Sequence, residues 1–196
     1  AAGAALTAKV SGNGRVSVVF FGDGAVTRGT FHEVMNMASL WKLPLILVCE
    51  NNGLAQYVPT AETMVFDQVA ALAQGYKMPG VQVDGNDVRA VHEAALSAAE
   101  RARQGQGPTL LELRTQRYHG HSSGDPQVYR TKAEVEALRQ ATDPVVRLEA
   151  ELLADGLLAD RDQLLAQIET EIAEAVAFAE ASPYPQDEEL AKDVYA

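Results

Sequence analysis

The segment GDGAVTRGTFHEVMNMASLWKLPLILVCENN, residues 22–52, decides the fold. It directly follows the apolar run VSVVFF (16–21) and contains a second apolar run, LPLILVCE (43–50). Continuous apolar runs of this length, rich in β-branched residues, are typical of strands buried in a parallel sheet. Between the two runs, apolar side chains recur at helical spacing from Gly29, and Pro44 ends that helix. The segment therefore predicts a strand–helix–strand unit, with GDG after the first strand and NN after the second.

The same alternation continues beyond this segment. A short helix is expected near 66–76, and further strands are expected at VQVDG (81–85) and TLLELRT (109–115). The helix between those strands is expected to be capped by Asn86 or Asp87. Strands that alternate with helices predict an α/β fold, with a doubly wound and mostly parallel sheet. In such a sheet the loops that follow the strands lie along one edge.

Helices dominate the remainder of the chain. One segment, QRYHGHSSGDPQVYR (116–130), is polar and shows neither the periodicity of a helix nor that of a strand. It is long enough to be a functional loop. We expect residues 1–130 to form the α/β domain, with this loop at its end. Residues 131–196 are expected to form an acidic helical C-terminal region packed on the same domain, with a last long helix that starts near Asp160.

Charge and composition narrow the class of protein. The 196 residues carry a net charge of −11, and the whole excess falls in residues 143–196, which hold 14 acidic and 3 basic groups. Such a tail would repel nucleic acid, so it is either a solvated helix face or a docking surface for a basic partner. No apolar run reaches the length of a membrane span. The single cysteine, Cys49, is expected to be buried in a strand. It fits a reducing compartment, either the bacterial cytoplasm or the mitochondrial matrix.

The residues after the two strands indicate a ligand. Glycine amides such as those around Asp23 can point at a phosphate, and the following helix adds a positive dipole end. A carboxylate beside a phosphate is repulsive unless a cation lies between them, and carboxylate and amide oxygens suit Mg²⁺ or Ca²⁺. GDG alone often marks a turn, but GDG and Asn51-Asn52 at the ends of consecutive strands favour a site for a metal and a phosphate.

This spacing resembles the thiamine diphosphate-binding motif. Together with RYHGHSSGDPQVYR, the sequence resembles the alpha subunits of thiamine-dependent 2-oxo acid dehydrogenases, of the pyruvate and acetoin dehydrogenase type. The resemblance implies Mg²⁺ bound by the side chains of Asp23 and Asn52 and by the backbone carbonyl of Leu54. It implies a diphosphate held by the backbone amides of Gly24 and Ala25. By the same resemblance, the neighbouring Asn51 supports the loop and does not bind metal.

The long loop also has implied roles. The resemblance assigns to Arg117 a contact with the diphosphate. It assigns to His121 a contact with the cofactor and assistance in the chemistry, so His121 is the candidate catalytic residue. Asp125 and Arg130 are expected either to form an ion pair that stabilises the loop or to be solvated separately.

The reaction implied by the resemblance is decarboxylation of a small 2-oxo acid such as pyruvate, or cleavage of acetoin. The product unit then passes to a lipoyl group on a partner acyltransferase. The resemblance further implies a beta subunit, in an assembly of two alpha and two beta chains, and an alpha-subunit N-terminal region that this chain lacks. The chain alone is therefore expected to be inactive. Two alternatives remain open from the residues: a non-catalytic module that binds Mg²⁺ and a diphosphate, and a purely structural subunit.

Overall fold

The computed structural model describes residues 1–158 and 160–192. The chain divides into two compact units, residues 1–148 and residues 149–196. Each unit is described by itself below. The domain boundary expected after residue 130 stays a prediction.

A parallel sheet of four strands forms the centre of the first unit. Side by side, the strands are β1 (Ser17–Gly22), β2 (Leu45–Asn51), β6 (Thr109–Arg114) and β5 (Gly80–Asp84). Every neighbouring pair runs parallel, so the four carboxyl ends lie along one edge. Because Gly22 pairs with Glu50, the residues that follow β1 and β2 emerge at the same level of that edge.

Helices cover both faces of the sheet. The first unit contains α1 (Ala2–Ser11), α2 (Gly29–Leu40), α3 (Val88–Arg103) and α4 (Lys132–Thr142). Leu45 and Leu47 of β2 belong to a core that includes residues of α1 and α2. Ile46 and Val48, which point to the opposite face, belong to a second core with residues of α3. The predicted doubly wound α/β fold is therefore confirmed.

Local structure differs from the prediction in three places near the sheet edge. The helix expected near 66–76 is a 3₁₀ helix, Val69–Tyr76, and a short 3₁₀ turn, Asp23–Thr27, replaces the expected loop after β1. The segment after the two asparagines forms a small hairpin of β3 (Leu54–Ala55) and β4 (Val58–Pro59). Of the two caps considered for α3, Asp87 is the one used: its side chain accepts a hydrogen bond from the Ala90 amide.

Helix α5 (Pro144–Ala154) begins in the first unit, and α6 (Arg161–Ala181) lies wholly in the second. The expected start of the last long helix is confirmed, because the Asp160 side chain accepts a hydrogen bond from the Gln163 amide at 2.9 Å. Among the helices that the structure describes, none combines the length and apolarity needed to cross a membrane.

Candidate functional site

Asp23 lies at the carboxyl end of β1, in the first position of the 3₁₀ turn. It is only 2% exposed, and its Oδ1 accepts a hydrogen bond of 3.0 Å from the Gly24 amide. Its other oxygen, Oδ2, is buried and has no hydrogen-bond partner among the residues described. Burial raises the pKa of the Asp23 carboxyl, and nearby backbone amides, including those of Gly53 and Leu54, oppose part of that rise. A buried carboxylate oxygen without a partner is costly unless a ligand satisfies it.

The turn that follows β2 lies against this carboxylate. Asn51 is buried, and its Oδ1 accepts a hydrogen bond of 3.1 Å from the Gly53 amide. Asn52 Oδ1 accepts a hydrogen bond, also of 3.1 Å, from the Leu54 amide. Gly53 has a φ of 77°, a conformation that glycine adopts without strain. The two asparagines therefore fix the backbone of the turn, and the amide oxygen of Asn52 retains a second lone pair for a ligand.

The small hairpin packs directly on the GDG segment. A Cβ atom placed on Gly24 would lie 3.0 Å from the Cβ of Ala55 in β3. That distance is shorter than ordinary carbon–carbon contact, so only glycine fits here without displacing the hairpin. Gln56, at the tip of the hairpin, has a positive φ of 56°, which turns the chain back into β4.

The loop of residues 116–130 contacts the same hairpin. The Arg117 guanidinium donates hydrogen bonds of 2.6 Å to the Gln56 carbonyl and 2.9 Å to the Tyr129 hydroxyl. The Tyr57 ring meets the His121 ring edge-on, with centroids 5.6 Å apart. Arg117 and His121 are thus connected, through adjacent residues of one hairpin, to the turn beside Asp23.

Asp125 organises the loop around His121. Its carboxylate accepts hydrogen bonds of 2.8 Å from the His121 amide, the Gln127 amide and the Tyr129 hydroxyl. Partial desolvation acts to raise the pKa of Asp125, but these hydrogen bonds outweigh it and hold the pKa below its ordinary value.

The ion pair considered for Asp125 and Arg130 is not the contact that these two described residues make. Arg130 donates to the carbonyl oxygens of Arg117 and His119 and to the Gln127 side chain. Arg130 therefore braces the loop backbone, while Asp125 is satisfied by neutral donors.

Comparison with known proteins identifies the family. The sequence model of the dehydrogenase E1 component matches residues 1–188. The chain belongs to the dehydrogenase E1 component family. It is 46% identical over 198 residues to the alpha subunit of an acetoin:2,6-dichlorophenolindophenol oxidoreductase of Bacillus subtilis, covering 100% of this chain and 59% of that subunit.

Two pyruvate dehydrogenase E1 component alpha subunits are also similar to this chain. That of Rhizobium meliloti is 40% identical over 196 residues, which are 98% of this chain and 56% of the subunit. The somatic mitochondrial form of Homo sapiens is 40% identical over 204 residues, which are 100% of this chain and 50% of the subunit. The resemblance drawn from the GDG and NN motifs is confirmed, and this E1 chain spans between half and three fifths of the length of these relatives.

Membership of this family implies dependence on thiamine diphosphate. The oxygen atoms at the Asp23 site of the E1 chain fit a hard divalent cation that would accompany a diphosphate. They are the unpartnered Oδ2 of Asp23 and, in the turn after β2, the amide oxygen of Asn52 with its second lone pair. Nowhere in residues 1–158 and 160–192 do three or more His, Cys, Asp or Glu side chains gather as a metal cluster. A cation here would be held by one carboxylate and by neutral oxygens.

The amides expected to hold the diphosphate lie in the 3₁₀ turn of the E1 chain, at Gly24 and Ala25. The Gly24 amide already donates to Asp23 Oδ1, and the Ala25 carbonyl accepts from the Arg28 amide. Their assignment to a diphosphate stays a prediction.

Sequence reasoning missed Glu112, a fully buried carboxylate in β6. Its Oε1 accepts a hydrogen bond of 2.6 Å from the Asn51 side-chain amide, and its Oε2 accepts one of 2.9 Å from the Ala70 backbone amide. The Arg114 guanidinium lies 3.9 Å from Oε1. The available signal was a single acidic residue inside the apolar run TLLELRT, where a buried charge needs dedicated partners.

Proposed function

We propose that this E1 chain forms the diphosphate- and metal-binding half of a thiamine diphosphate-dependent active site. The whole enzyme would decarboxylate a small 2-oxo acid such as pyruvate, or cleave acetoin, and pass the product unit to a lipoyl group. Support comes from family membership over residues 1–188 and from relatives whose names specify acetoin and pyruvate. The family membership favours this proposal over a non-catalytic module or a purely structural subunit.

The metal in this proposal is Mg²⁺, bound by Asp23, Asn52 and the carbonyl oxygen of Leu54. The observation that carries the proposal is the buried, unpartnered Oδ2 of Asp23, whose carboxyl group lies near a turn fixed by two asparagines. A divalent cation would satisfy that oxygen and offset the charge of a diphosphate bound beside it. The backbone amides of Gly24 and Ala25 are the proposed donors to the diphosphate.

The protein's own residues orient and neutralise the bound groups. When bound, thiamine diphosphate supplies the electron sink that carbon–carbon bond cleavage requires. Arg117 brings a permanent positive charge next to the hairpin, where it suits an anionic cofactor. His121 is the proposed catalytic residue, and it would exchange a proton with the substrate. Its backbone is held by Asp125 and its ring by Tyr57, which limits the positions that the imidazole can take.

Partner chains belong to the proposal as well. Relatives named as alpha subunits imply a second kind of subunit in those proteins. For this chain we propose a beta subunit, in an assembly of two alpha and two beta chains, and a lipoyl-bearing acyltransferase as acceptor of the product unit. The acidic excess of residues 143–196 is assigned no role in this assembly.

The test is calorimetric titration of thiamine diphosphate into the full-length protein with its partner subunit, with and without Mg²⁺. Asp23→Asn keeps the shape of the side chain and removes its charge. Metal-dependent binding should weaken by about 100-fold or more, beyond the 10–100-fold typical of losing a residue that only orients a metal ligand. Glu50→Gln is the matched control, since Glu50 is an exposed carboxylate at the end of β2. Unchanged metal dependence in Asp23→Asn would show that the metal site lies elsewhere.

A further inference from the structure

We propose that Glu112 is a positioning residue for the cofactor half-site, acting through Asn51 on the turn that carries Asn52 and Leu54. This inference rests on the proposed function, because it names the group that sets the geometry of the proposed metal ligands. Glu112 itself is too deeply buried to touch a ligand, since its exposed fraction is 0%.

The position of Glu112 in the sheet explains why it reaches the turn. In the parallel register of β2 and β6, Glu112 lies beside Cys49, two residues before Asn51. The Asn51 side chain therefore reaches back along the strand edge and donates its amide hydrogen to Glu112 Oε1. The backbone of Asn51 is also held, because its carbonyl accepts a hydrogen bond of 3.0 Å from the Thr115 amide.

A continuous series of hydrogen bonds then leads to the site. Glu112 fixes the Asn51 side chain, and Asn51 Oδ1 in turn accepts from the Gly53 amide. The Gly53 and Leu54 amides lie near enough to Asp23 to oppose part of the rise in its pKa. Because Asn51 accepts from the Gly53 amide, the orientation of Asn51 affects how this backbone meets the carboxylate. The second oxygen of Glu112 accepts from Ala70 and ties the same carboxylate to the 3₁₀ helix Val69–Tyr76, which is itself part of the core. Glu112 thereby anchors the turn of residues 51–54, which carries the proposed metal ligands Asn52 and Leu54, to the core of the fold.

Only a side chain with two acceptor oxygens satisfies both donors. In Glu112→Gln, the amide can offer its oxygen to the Ala70 amide, but its NH₂ group then meets the NH₂ group of Asn51. Rotating Asn51 by 180° would only move the conflict to the Gly53 amide. The reciprocal exchange removes this conflict between donors. In the double variant Asn51→Asp/Glu112→Gln, the carboxylate at position 51 accepts from the Gly53 backbone amide and from the side-chain amide at position 112. Asn51→Asp alone would place two carboxylates at hydrogen-bond distance and should be as harmful as Glu112→Gln.

The experiment measures two quantities in the full-length assembled protein: the Kd of thiamine diphosphate at fixed Mg²⁺ by calorimetry, and the Tm without cofactor. Glu112→Gln should raise the Kd about 10–100-fold, the usual cost of losing a residue that orients a metal ligand. The double variant Asn51→Asp/Glu112→Gln should return the Kd to within about threefold of wild type, a difference that corresponds to less than half of the binding free energy of a tenfold change. Thr109→Val is the matched control in the same strand, because the Thr109 hydroxyl is buried without a partner in the described structure and its loss should leave the Kd unchanged.

Each outcome decides the proposal. A lower Tm with an unchanged Kd in Glu112→Gln would make Glu112 a purely structural residue, and a double variant that fails to recover would disprove the link through Asn51. If Glu112→Gln does not assemble, Asn51→Ala cuts the same link while preserving the bond to Ala70, and an unchanged Kd there overturns the proposal. Failure of the wild-type protein to bind thiamine diphosphate with Mg²⁺ would instead refute the proposed function.

Discussion

Replacing Gly24 with alanine tests the contact between the GDG segment and the hairpin. The added Cβ would lie 3.0 Å from the Cβ of Ala55 and 3.4 Å from its Cα. Carbon atoms pack best at about 3.5–4.0 Å, so the hairpin must retreat by roughly 0.5 Å or more. The backbone of Gly24 is not in the left-handed region, so steric overlap is the only cost of this substitution.

The loss of stability in Gly24→Ala depends on how firmly the hairpin of β3 and β4 is held in place. Overpacking of this kind costs about 1–3 kcal/mol. The hairpin cannot move independently, because Leu54 is held by Asn52 and Gln56 is held by Arg117. We therefore expect the Tm to fall by about 2–4 °C for each kcal/mol, as is usual for a unit of this size. Movement of the Leu54 carbonyl should also weaken binding of thiamine diphosphate with Mg²⁺.

The assay is thermal unfolding of the full-length assembled protein, followed by calorimetric titration of the cofactor. Gly22→Ala is the matched control, since Gly22 has extended backbone angles and open space around its Cβ position. Ala55→Gly removes the opposing methyl group, so the double variant Gly24→Ala/Ala55→Gly should recover most of the loss. Equal effects of Gly22→Ala and Gly24→Ala, or no recovery in the double variant, would refute the steric argument.

Two further predictions concern titratable groups. The pKa of Asp125 in the folded loop lies below the unfolded value of about 3.9, so its contribution to stability is complete above that pH and is lost as pH falls through the folded pKa. The Tm difference between wild type and Asp125→Asn should thus be constant above pH ~5 and shrink below pH ~4. A difference that persists at the lowest pH would contradict this. Burial, followed by the negative charges of Asp23 and Glu112, strongly raises the pKa of the Cys49 thiol. Peptide mapping after iodoacetamide treatment should find Cys49 unmodified in the native protein and fully alkylated after unfolding; native alkylation would show that β2 opens readily.

The central part of the fold could be predicted because its pattern is local. Strands β1 and β2 are both continuous apolar runs, and the helix between them ends before Pro44. Only β2 is buried as expected, because β1 lies at the edge of the sheet and leaves Val18 and Phe20 exposed. The placement of Asp23 and Asn52 at one edge of the sheet was predictable for the same reason, because consecutive parallel strands end at the same edge. Their joint role in a metal site stays a prediction. That reasoning needed only the order of the elements along the chain and the handedness of their connection.

The hairpin of β3 and β4 could not be predicted in this way. Each of its strands has only two residues, too few for any periodicity to register. Its position is set by contacts with distant parts of the sequence, namely the Gly24 backbone and the Arg117 guanidinium. The family resemblance assigned Arg117 to the cofactor, whereas the geometry of the chain also gives it a second task, which is to hold the Gln56 carbonyl.

Glu112 escaped prediction for a topological reason. Along the chain β5 precedes β6, so the sequence alone suggests that β2 is followed across the sheet by β5. In the structure β6 lies between them, and this order puts Glu112 next to the strand that ends in Asn51. A charged residue in an apolar run signals that a buried partner exists, but only the strand order identifies that partner. The donor to Glu112 is Asn51, which immediately precedes the proposed metal ligand Asn52. The order of the strands therefore determines how the turn of residues 51–54 is supported.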